Sequence, residues 1–403
     1  PESIEREAER SIIERLAFEM IATRLDNAAL RGEAPYERAE VSSASIVRGL
    51  DAPELAFDVG GEGVGPTIRA ATDEFERVVR YGFSDVELER AVAARRSSAQ
   101  RTYDGRGSRQ DASYASEYVR HVLEGEWYVT ADQEFAFVNA VLDRVTPESA
   151  AEVLSDRYSS TGAHAFVAVP EREAEDVASE GELVEIIVDG PNRDLDPPLS
   201  EPDVAATLID RPAGVEEVSS DRLATNPFTD ALDPLVLTFP NGVTVSLNTT
   251  TIVEREVFFE ARSPGGLRAV GDDDVADAQA LGPVIADSGA GPFDRVALAA
   301  FLDDKSASLA PSVDNATDAM SGTAATDDLE VLFQLVHLLM TSPNADPAAV
   351  DRSVDERLPV AEDPSIDIGY AEFDALLNAR YDEPRFLLPT PETLATVDAD
   401  GIE

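Results

Sequence analysis

The sequence predicts an α+β protein of two units joined by an acidic, proline-rich linker. Three observations predict this class. The chain has 403 residues, and at about 100–200 residues per domain that length asks for two or three domains. Each half alternates short β-type runs with long stretches of helical apolar period. Between them Pro191, Pro197, Pro198, Pro202 and Pro212 interrupt regular structure where acids are dense. The predicted units are residues 1–187 and 235–403, with 188–234 as linker, and each unit reads as an antiparallel-rich sheet packed against long helices. A hydrophobic content of 43% is ample for cores.

The first unit opens on a helix. Ile4, Ala8, Ile12, Leu16 and Met20 recur at four, and Ile13, Ala17, Ile21 and Leu25 fill the neighbouring row, making one wide apolar stripe. Residues 41–47 and 55–59 read as strands. Gly60-Gly61-Glu62-Gly63-Val64-Gly65 follows; it has neither G-x-G-x-x-G spacing nor the Lys-Ser/Thr of a phosphate loop, so it reads as a turn into the helix carrying Ile68, Phe75, Val78 and Val79. Ser84-Asp85-Val86-Glu87 is a capping box. Residues 112–123 are helical, with Tyr114, Tyr118 and Val122 on one face. Thr146-Pro147 places a cap and then proline at the first helical position. Residues 163–169 read as a buried strand closed by Pro170.

The second unit opens on a hairpin. Residues 235–239 and 243–247 flank Pro240-Asn241-Gly242, and Asn-Gly between β-type runs is the strongest short hairpin signal. A third strand covers 256–262 and ends in Ser263-Pro264-Gly265-Gly266. Helices follow over 275–286 and 293–302, then a strand pair over 306–313 and 316–322. Thr326-Asp327-Asp328 caps an apolar helix carrying Leu329, Leu332, Phe333, Val336, Leu339 and Met340, and Asp346-Pro347 caps the next. The chain begins at Pro1 with a core-type helix and ends in a polar 398–403 loop, so it reads as a piece of something longer.

Charge excludes several function classes. There are 80 acidic against 32 basic residues, a net −48, and Lys305 is the sole lysine. Such a chain has no electrostatic route to a nucleic-acid backbone or to an anionic membrane surface. Even acidity keeps a protein hydrated; a high-salt habitat and an arginine-favouring high-GC genome both account for it. With no cysteine, disulfides, thiolate catalysis and Cys-ligated metals are out. No apolar run approaches the length of a bilayer span.

Catalytic patterns are missing as well. His121, His164 and His337 lie far apart, and neither H-E-x-x-H nor H-x-x-E-H occurs. His337 reads as a packed or rim residue of an apolar helix, His121 as surface or groove, and His164 as the opening of a strand. There is no G-x-S-x-G elbow; Ser288 and Ser321 precede glycines in turns. Asp272-Asp273-Asp274, Asp303-Asp304 and Asp327-Asp328 have the oxygen chemistry of a hard-cation site, but chance doublets are expected among 80 acids. Catalytic and metal residues are therefore expected to be none in this chain.

A family resemblance adds to this reading. Phe239-Pro240-Asn241-Gly242-Val243-Thr244-Val245 resembles the hairpin that opens each repeat of the insulinase/pitrilysin family of zinc metallopeptidases. Phe258 through Ser263-Pro264-Gly265-Gly266, Ser288-Gly289-Ala290-Gly291, Ser321-Gly322, the run from Asp328 to Leu335, Pro384-Arg385-Phe386 and Pro389-Thr390-Pro391-Glu392 resemble the non-catalytic half of long single-chain bacterial members. Phe83-Ser84 with Glu87-Leu88-Glu89, and the run from Tyr114 to His121, look like their second repeat.

The resemblance implies two homologous α+β repeats, the second and third of four that close like a clamshell on a peptide. It implies zinc in a first repeat, absent from this sequence, whose H-x-x-E-H and a later Glu hold the ion and activate water. The helix corresponding to the zinc helix reads Ala278-Gln279-Ala280-Leu281-Gly282-Pro283-Val284-Ile285-Ala286, with no His and no Glu. The implied role is a non-catalytic scaffold and chamber wall of a zinc metalloendopeptidase. Its implied partners are peptide or small-protein substrates, and either the first and fourth repeats of the same polypeptide or a catalytic partner subunit. Substrate contact is expected at Glu256, Phe258, Glu260, Ser263, Pro264, Gly265 and Gly266, where the zinc repeat adds substrate as a strand; an ordinary edge strand with a Pro-Gly stop accounts for the same residues. Bacterial relatives are often exported to the periplasm. The same repeats also build inactive structural or partner subunits, the alternative role. An unrelated acidic binding module would need the two halves to differ in fold.

Overall fold

The structure, a computed structural model, describes residues 2–47, 50–125, 127–157, 164–169, 177–198, 205–212, 214, 219–222, 234–250, 253 and 255–402. Chain order in the first unit is α1 (Glu2–Leu30), β1 (Tyr36–Val47), β2 (Leu50–Val59), α2 (Val64–Tyr81), α3 (Asp85–Asp104), α4 (Asp111–Glu124), α5 (Ala131–Leu142), α6 (Pro147–Arg157) and α7 (Glu180–Val188). The apolar stripe of α1 is its core face: Leu16, Ala17, Met20, Ile21 and Leu25 are buried with Phe75, Val78 and Leu154. β1 and β2 form an antiparallel ribbon with Val41 opposite Leu55 and Ala39 opposite Phe57, and these side chains lie on the same core. Tyr36 anchors the ribbon to α1 by donating its hydroxyl proton to Leu25 O at 3.1 Å. The predicted capping box at Ser84 and Glu87 is present, and Gly60 to Gly63 forms the turn into α2.

The second unit holds β3 (Ser219–Arg222), β4 (Leu235–Thr238), β5 (Thr244–Leu247), β6 (Glu256–Pro264), α8 (Val275–Ala286), α9 (Arg295–Leu302), β7 (Ala307–Val313), β8 (Thr317–Ala325), α10 (Leu329–Thr341), α11 (Pro347–Glu362), α12 (Ile368–Arg380), α13 (Pro391–Leu394) and α14 (Ala399–Ile402). β3, β4 and β5 make one antiparallel sheet, with Asn241-Gly242 turning β4 into β5 at a Gly242 φ of 88°. β6, β8 and β7 make a second antiparallel sheet, with β8 in the centre. Its cores run along α8, α11 and α14 on one side and α9 and α10 on the other.

Five expectations need correction. Residues 164–169 carry no regular structure, and Phe166 is 95% exposed; an apolar run with β-propensity forms a strand only where an edge accepts its backbone, and no described strand pairs with it. The linker is not free of structure. Gly190–Asn192 forms a 3₁₀ turn on α2, Arg193 pairs with Asp73, and β3 joins the second sheet system. Leu208 is buried in the second unit's core, its N–H donating to Gln334 Oε1 at 3.0 Å. The chain's last residues are not an open loop: α14 buries Ile402 against α8. On α10 the buried face is Leu332, Leu335 and Leu338, while Phe333, His337 and Met340 are exposed. Asp328 makes no side-chain cap of α10; it accepts the Ser306 N–H at 2.8 Å instead. Among the described residues no helix is long and apolar enough to cross a membrane.

Candidate functional site

The residues singled out in the second unit meet on β6, an edge strand. Its inner edge pairs with β8 from Glu256 opposite Ala325 to Pro264 opposite Thr317. Its outer edge has no strand partner among the described residues. Nine residues at about 3.3 Å each make a row roughly 30 Å long, with backbone N–H and C=O groups turned outward, which is the template for strand addition. The period of two puts Phe258, Glu260 and Arg262 on one face and Val257, Phe259 and Ala261 on the other. Phe259 meets the Phe333 ring edge-on at 5.7 Å. Phe258 is 70% exposed, an aromatic placed beside a free edge. Arg262 and Glu260 pair along the strand at 2.6 Å.

The two ends of β6 are held differently. At the start, Arg255 sits at φ 60°, pairs with Asp104 at the end of α3 at 3.3 Å and with Asp327, and accepts the Thr326 N–H at 3.0 Å. At the finish, Ser263 and Pro264 are still in the ladder, but Gly265 and Gly266 leave it. Gly265 N donates to Ala316 O at 3.0 Å and Leu267 N to Asp314 O at 2.9 Å, so the corner wraps the β7–β8 turn. Gly266 has φ 66° and donates to Asp318 Oδ1 at 3.1 Å; a Cβ there would stand 2.2 Å from Asp314 O. The structure therefore brings Glu256, Phe258 and Glu260 together on the open strand, and it puts Gly265 and Gly266 into a packing corner.

The helix that the family resemblance would set at the zinc-helix position is α8, and its side chains are otherwise engaged. Ala280, Val284 and Ile285 are core residues. The Gln279 side chain donates to Leu387 O at 3.0 Å and Arg385 O at 3.3 Å. Asp277 is buried, accepts the Asp398 N–H at 3.0 Å, and is pushed above its ordinary range by burial. Gly282 lies so close to β7 that a Cβ would stand 3.1 Å from Pro311 O. Among the described residues no group of three or more His, Cys, Asp or Glu is placed to hold a metal ion. His121, His164 and His337 are exposed, on α4, in the 164–169 segment and on α10.

One feature spans both units and has no local sequence signal. α1 and α3 meet the end of α9 around a cavity of about 250 Å³ whose charged lining is Glu19, Asp26, Glu87, Arg90 and Asp303. It arises only when residues about 280 positions apart meet, as Glu19 and Asp303 do.

No protein-family profile matches the sequence, and no curated protein matches it. Among solved structures the chain is similar to pitrilysin, at 13% identity and TM-score 0.52, over 98% of this chain and 41% of that one. It is similar to a mutant of the ferredoxin protease FusC in complex with Arabidopsis ferredoxin, at 20% identity and TM-score 0.51, over 97% of this chain and 43% of that one. The periplasmic protease PqqL from Escherichia coli matches at 18% identity and TM-score 0.43, over 98% and 43%. The chain thus spans 41–43% of the length of these structures. At such identities the likeness concerns architecture: small antiparallel sheets laid against long helices give the chain a pitrilysin-like fold.

Proposed function

We propose that the chain is a non-catalytic scaffold of a pitrilysin-type zinc metallopeptidase, a wall against which a peptide is held while a zinc centre outside this sequence hydrolyses it. The observation that carries the reading is a pitrilysin-like fold extending over 97–98% of the chain. The lack of H-x-x-E-H and the buried, donor-poor α8 support the non-catalytic part. Residues 1–187 and 235–403 are read as two repeats of one architecture, each with its own core. A peptide or small protein is the proposed partner. FusC is a ferredoxin protease seen with a ferredoxin, and β6 offers a free edge with Phe258 beside it. The outward N–H and C=O row would take an extended backbone, and the Phe258 ring an apolar side chain.

The test is zinc content together with cleavage of a quenched fluorescent peptide. The purified chain is expected to be metal-free and inert. The polypeptide encoded by its whole reading frame is expected to hold about one zinc per chain and to cleave. Stoichiometric zinc and cleavage in the chain alone would sink the reading, and His121, His164 and His337 would then need examination as ligands.

A further inference from the structure

The hydrogen-bond register of the β6–β8–β7 sheet fixes what its two edges can accept. Thr326 N–H donates to Arg255 O and Gly265 N–H to Ala316 O, both at 3.0 Å. Bonding between two antiparallel strands recurs at every second residue, so Val257, Phe259, Ala261 and Ser263 turn their backbone groups toward β8. Glu256, Phe258, Glu260 and Arg262 turn theirs to the outer edge, each offering one N–H and one C=O. Pro264 belongs to the same outward series but has no N–H, which ends the row. At the other end Arg255 is clasped by Asp104 and Asp327. The open window is therefore residues 256–262.

The opposite edge of the sheet is closed. Ala325 N–H donates to Ser306 O and Asp314 N–H to Thr317 O, both at 2.8 Å, so the outward positions of β7 are Ala307, Leu309, Pro311 and Val313. Pro311 has no N–H for an added strand. Its carbonyl lies against α8, where a Cβ on Gly282 would stand 3.1 Å away, and Leu309 packs against the core that holds Leu335 and Leu338 of α10. Of the two edges, β6 alone offers an uninterrupted run of outward donors and acceptors.

The residues that face outward also carry the exposed side chains of β6, and a residue added directly across a strand meets the side chain opposite it. Phe258 is an exposed ring. Glu260 is already compensated by Arg262 at 2.6 Å. Glu256 is exposed and has no ion-pair partner among the described residues, so it is the uncompensated charge of this edge. The chain around it holds 80 acids against 32 bases, a field that favours cations and turns anions away. Antiparallel addition is the more stable mode per residue and continues the pattern of the sheet. We propose that β6 selects an extended cationic segment, added antiparallel, that sets an apolar residue across Phe258 and a lysine or arginine two residues further on, across Glu256. An uncharged residue suits the compensated Glu260–Arg262 pair. The substrate class rests on the peptidase reading, since only a peptidase turns this ligand into a substrate; the binding itself needs no zinc.

The test is fluorescence anisotropy of fluorescein-labelled heptapeptides titrated with the purified chain. The reference peptide carries leucine across Phe258, lysine across Glu256 and threonine elsewhere, and is expected to bind saturably. Glutamate in place of that lysine should weaken binding about fivefold to tenfold. In Glu256→Lys the order of the two peptides should reverse; the position is exposed, so far-UV circular dichroism and the urea midpoint should stay unchanged. N-methylation of the peptide residue across Phe258 or Glu256 removes an N–H given to the edge and should cost about tenfold. N-methylation of the residue between them, whose N–H points away, should cost little. An N-methyl scan without this period of two, no reversal in Glu256→Lys, or sedimentation showing a second copy on the edge that the peptide does not displace would each overturn the proposal. Selective binding by the chain beside a whole-frame product that lacks zinc would sustain it and sink the peptidase reading alone. Cleavage by that product with no selective binding by the chain would do the opposite.

Discussion

The guanidinium of Arg24 is the most committed charged group in the first unit, and removing it gives the sharpest test of how that unit is held. Arg24 Nε and Nη2 donate to the two oxygens of Glu87 at 2.5 and 3.0 Å, Nη1 to Glu74 Oε1 at 3.0 Å, and Nη2 also to Gly82 O at 3.0 Å. The side chains of Arg24, Glu87 and Glu74 are only 7, 8 and 12% exposed, so solvent screening takes little from these pairs. Arg24→Met keeps most of the stem volume but strands the buried Glu87 carboxylate and leaves Glu74 with Arg77 alone, at 2.9 Å. Breaking a buried pair from one side costs about 3–5 kcal/mol, which in a unit of this size lowers Tm by roughly 6–20 °C. Arg24→Lys should fall between, because an ammonium cannot fork to both acids. Urea unfolding followed by the sole tryptophan, Trp127, reports on this unit directly. The pH dependence supplies the sign. Burial alone would raise the Glu87 carboxyl, but the Arg24 bonds and charge, with the Ser84 N–H, outweigh it and hold Glu87 below its ordinary range. A depressed carboxylate contributes stability that is present above the unfolded value, about 4.3, and is lost as pH falls through the folded one. The gap between wild type and Arg24→Met should therefore narrow as the pH drops below about 4.3. A loss under about 1 kcal/mol at neutral pH, or a gap that widens in acid, would refute the assignment of a buried, compensated ion pair.

Three further outcomes follow from single positions. Gly266→Ala must hold a Cβ at positive φ and 2.2 Å from Asp314 O; the backbone conformation alone costs about 1–3 kcal/mol, and the chemical-denaturation midpoint of the second unit should fall accordingly. Phe258→Asp at a 70% exposed edge position should change stability by no more than about 0.5 kcal/mol. Measured in the zinc-bearing product of the whole reading frame, the same variant should raise KM for an apolar peptide about tenfold with kcat nearly constant; an unchanged KM would remove β6 from the proposed peptide path. Asp277 is raised above its ordinary range by burial, so its contribution is present at low pH and lost as pH rises through its folded value. Asp277→Asn keeps an oxygen for the Asp398 N–H and should be more stable than wild type at neutral pH but not in acid, by urea midpoints at both.

Local chemistry was legible in the sequence; assembled chemistry was not. The stripe from Leu16 to Leu25, the Ser84/Glu87 box, the Asn241-Gly242 turn and the bounds of α8 were all readable because neighbours a few residues apart decide them. The strand expected over 163–169 does not form over its described part, 164–169, because a strand needs an accepting edge, which its own residues do not supply. The linker misled for a related reason. Its prolines do break helices, yet the Arg193 side chain and the Leu208 backbone N–H anchor it to Asp73 of α2 and Gln334 of α10, each more than a hundred residues away. At the candidate site the alternating pattern of β6 was readable. Its free edge, the Gly265–Gly266 corner against Asp314 and the clasp of Arg255 on Asp104 were not, since each depends on another strand or on the other unit.

The surroundings of α8 bear on the proposed non-catalytic reading. A zinc helix has to leave one face open, with room for two imidazoles and a water. In this chain that space is filled from three sides. α14 and α11 cover Ala280, Val284 and Ile285, the carbonyls of Arg385 and Leu387 occupy the Gln279 amide, and β7 approaches Gly282 closely enough to exclude a larger side chain. That packing supplies apolar burial at about 25 cal/mol per Å². β6, by contrast, has no strand partner on its outer edge among the described residues, and Phe258, Glu260 and Arg262 lie along it. That edge is where the proposed addition of a peptide strand would take place.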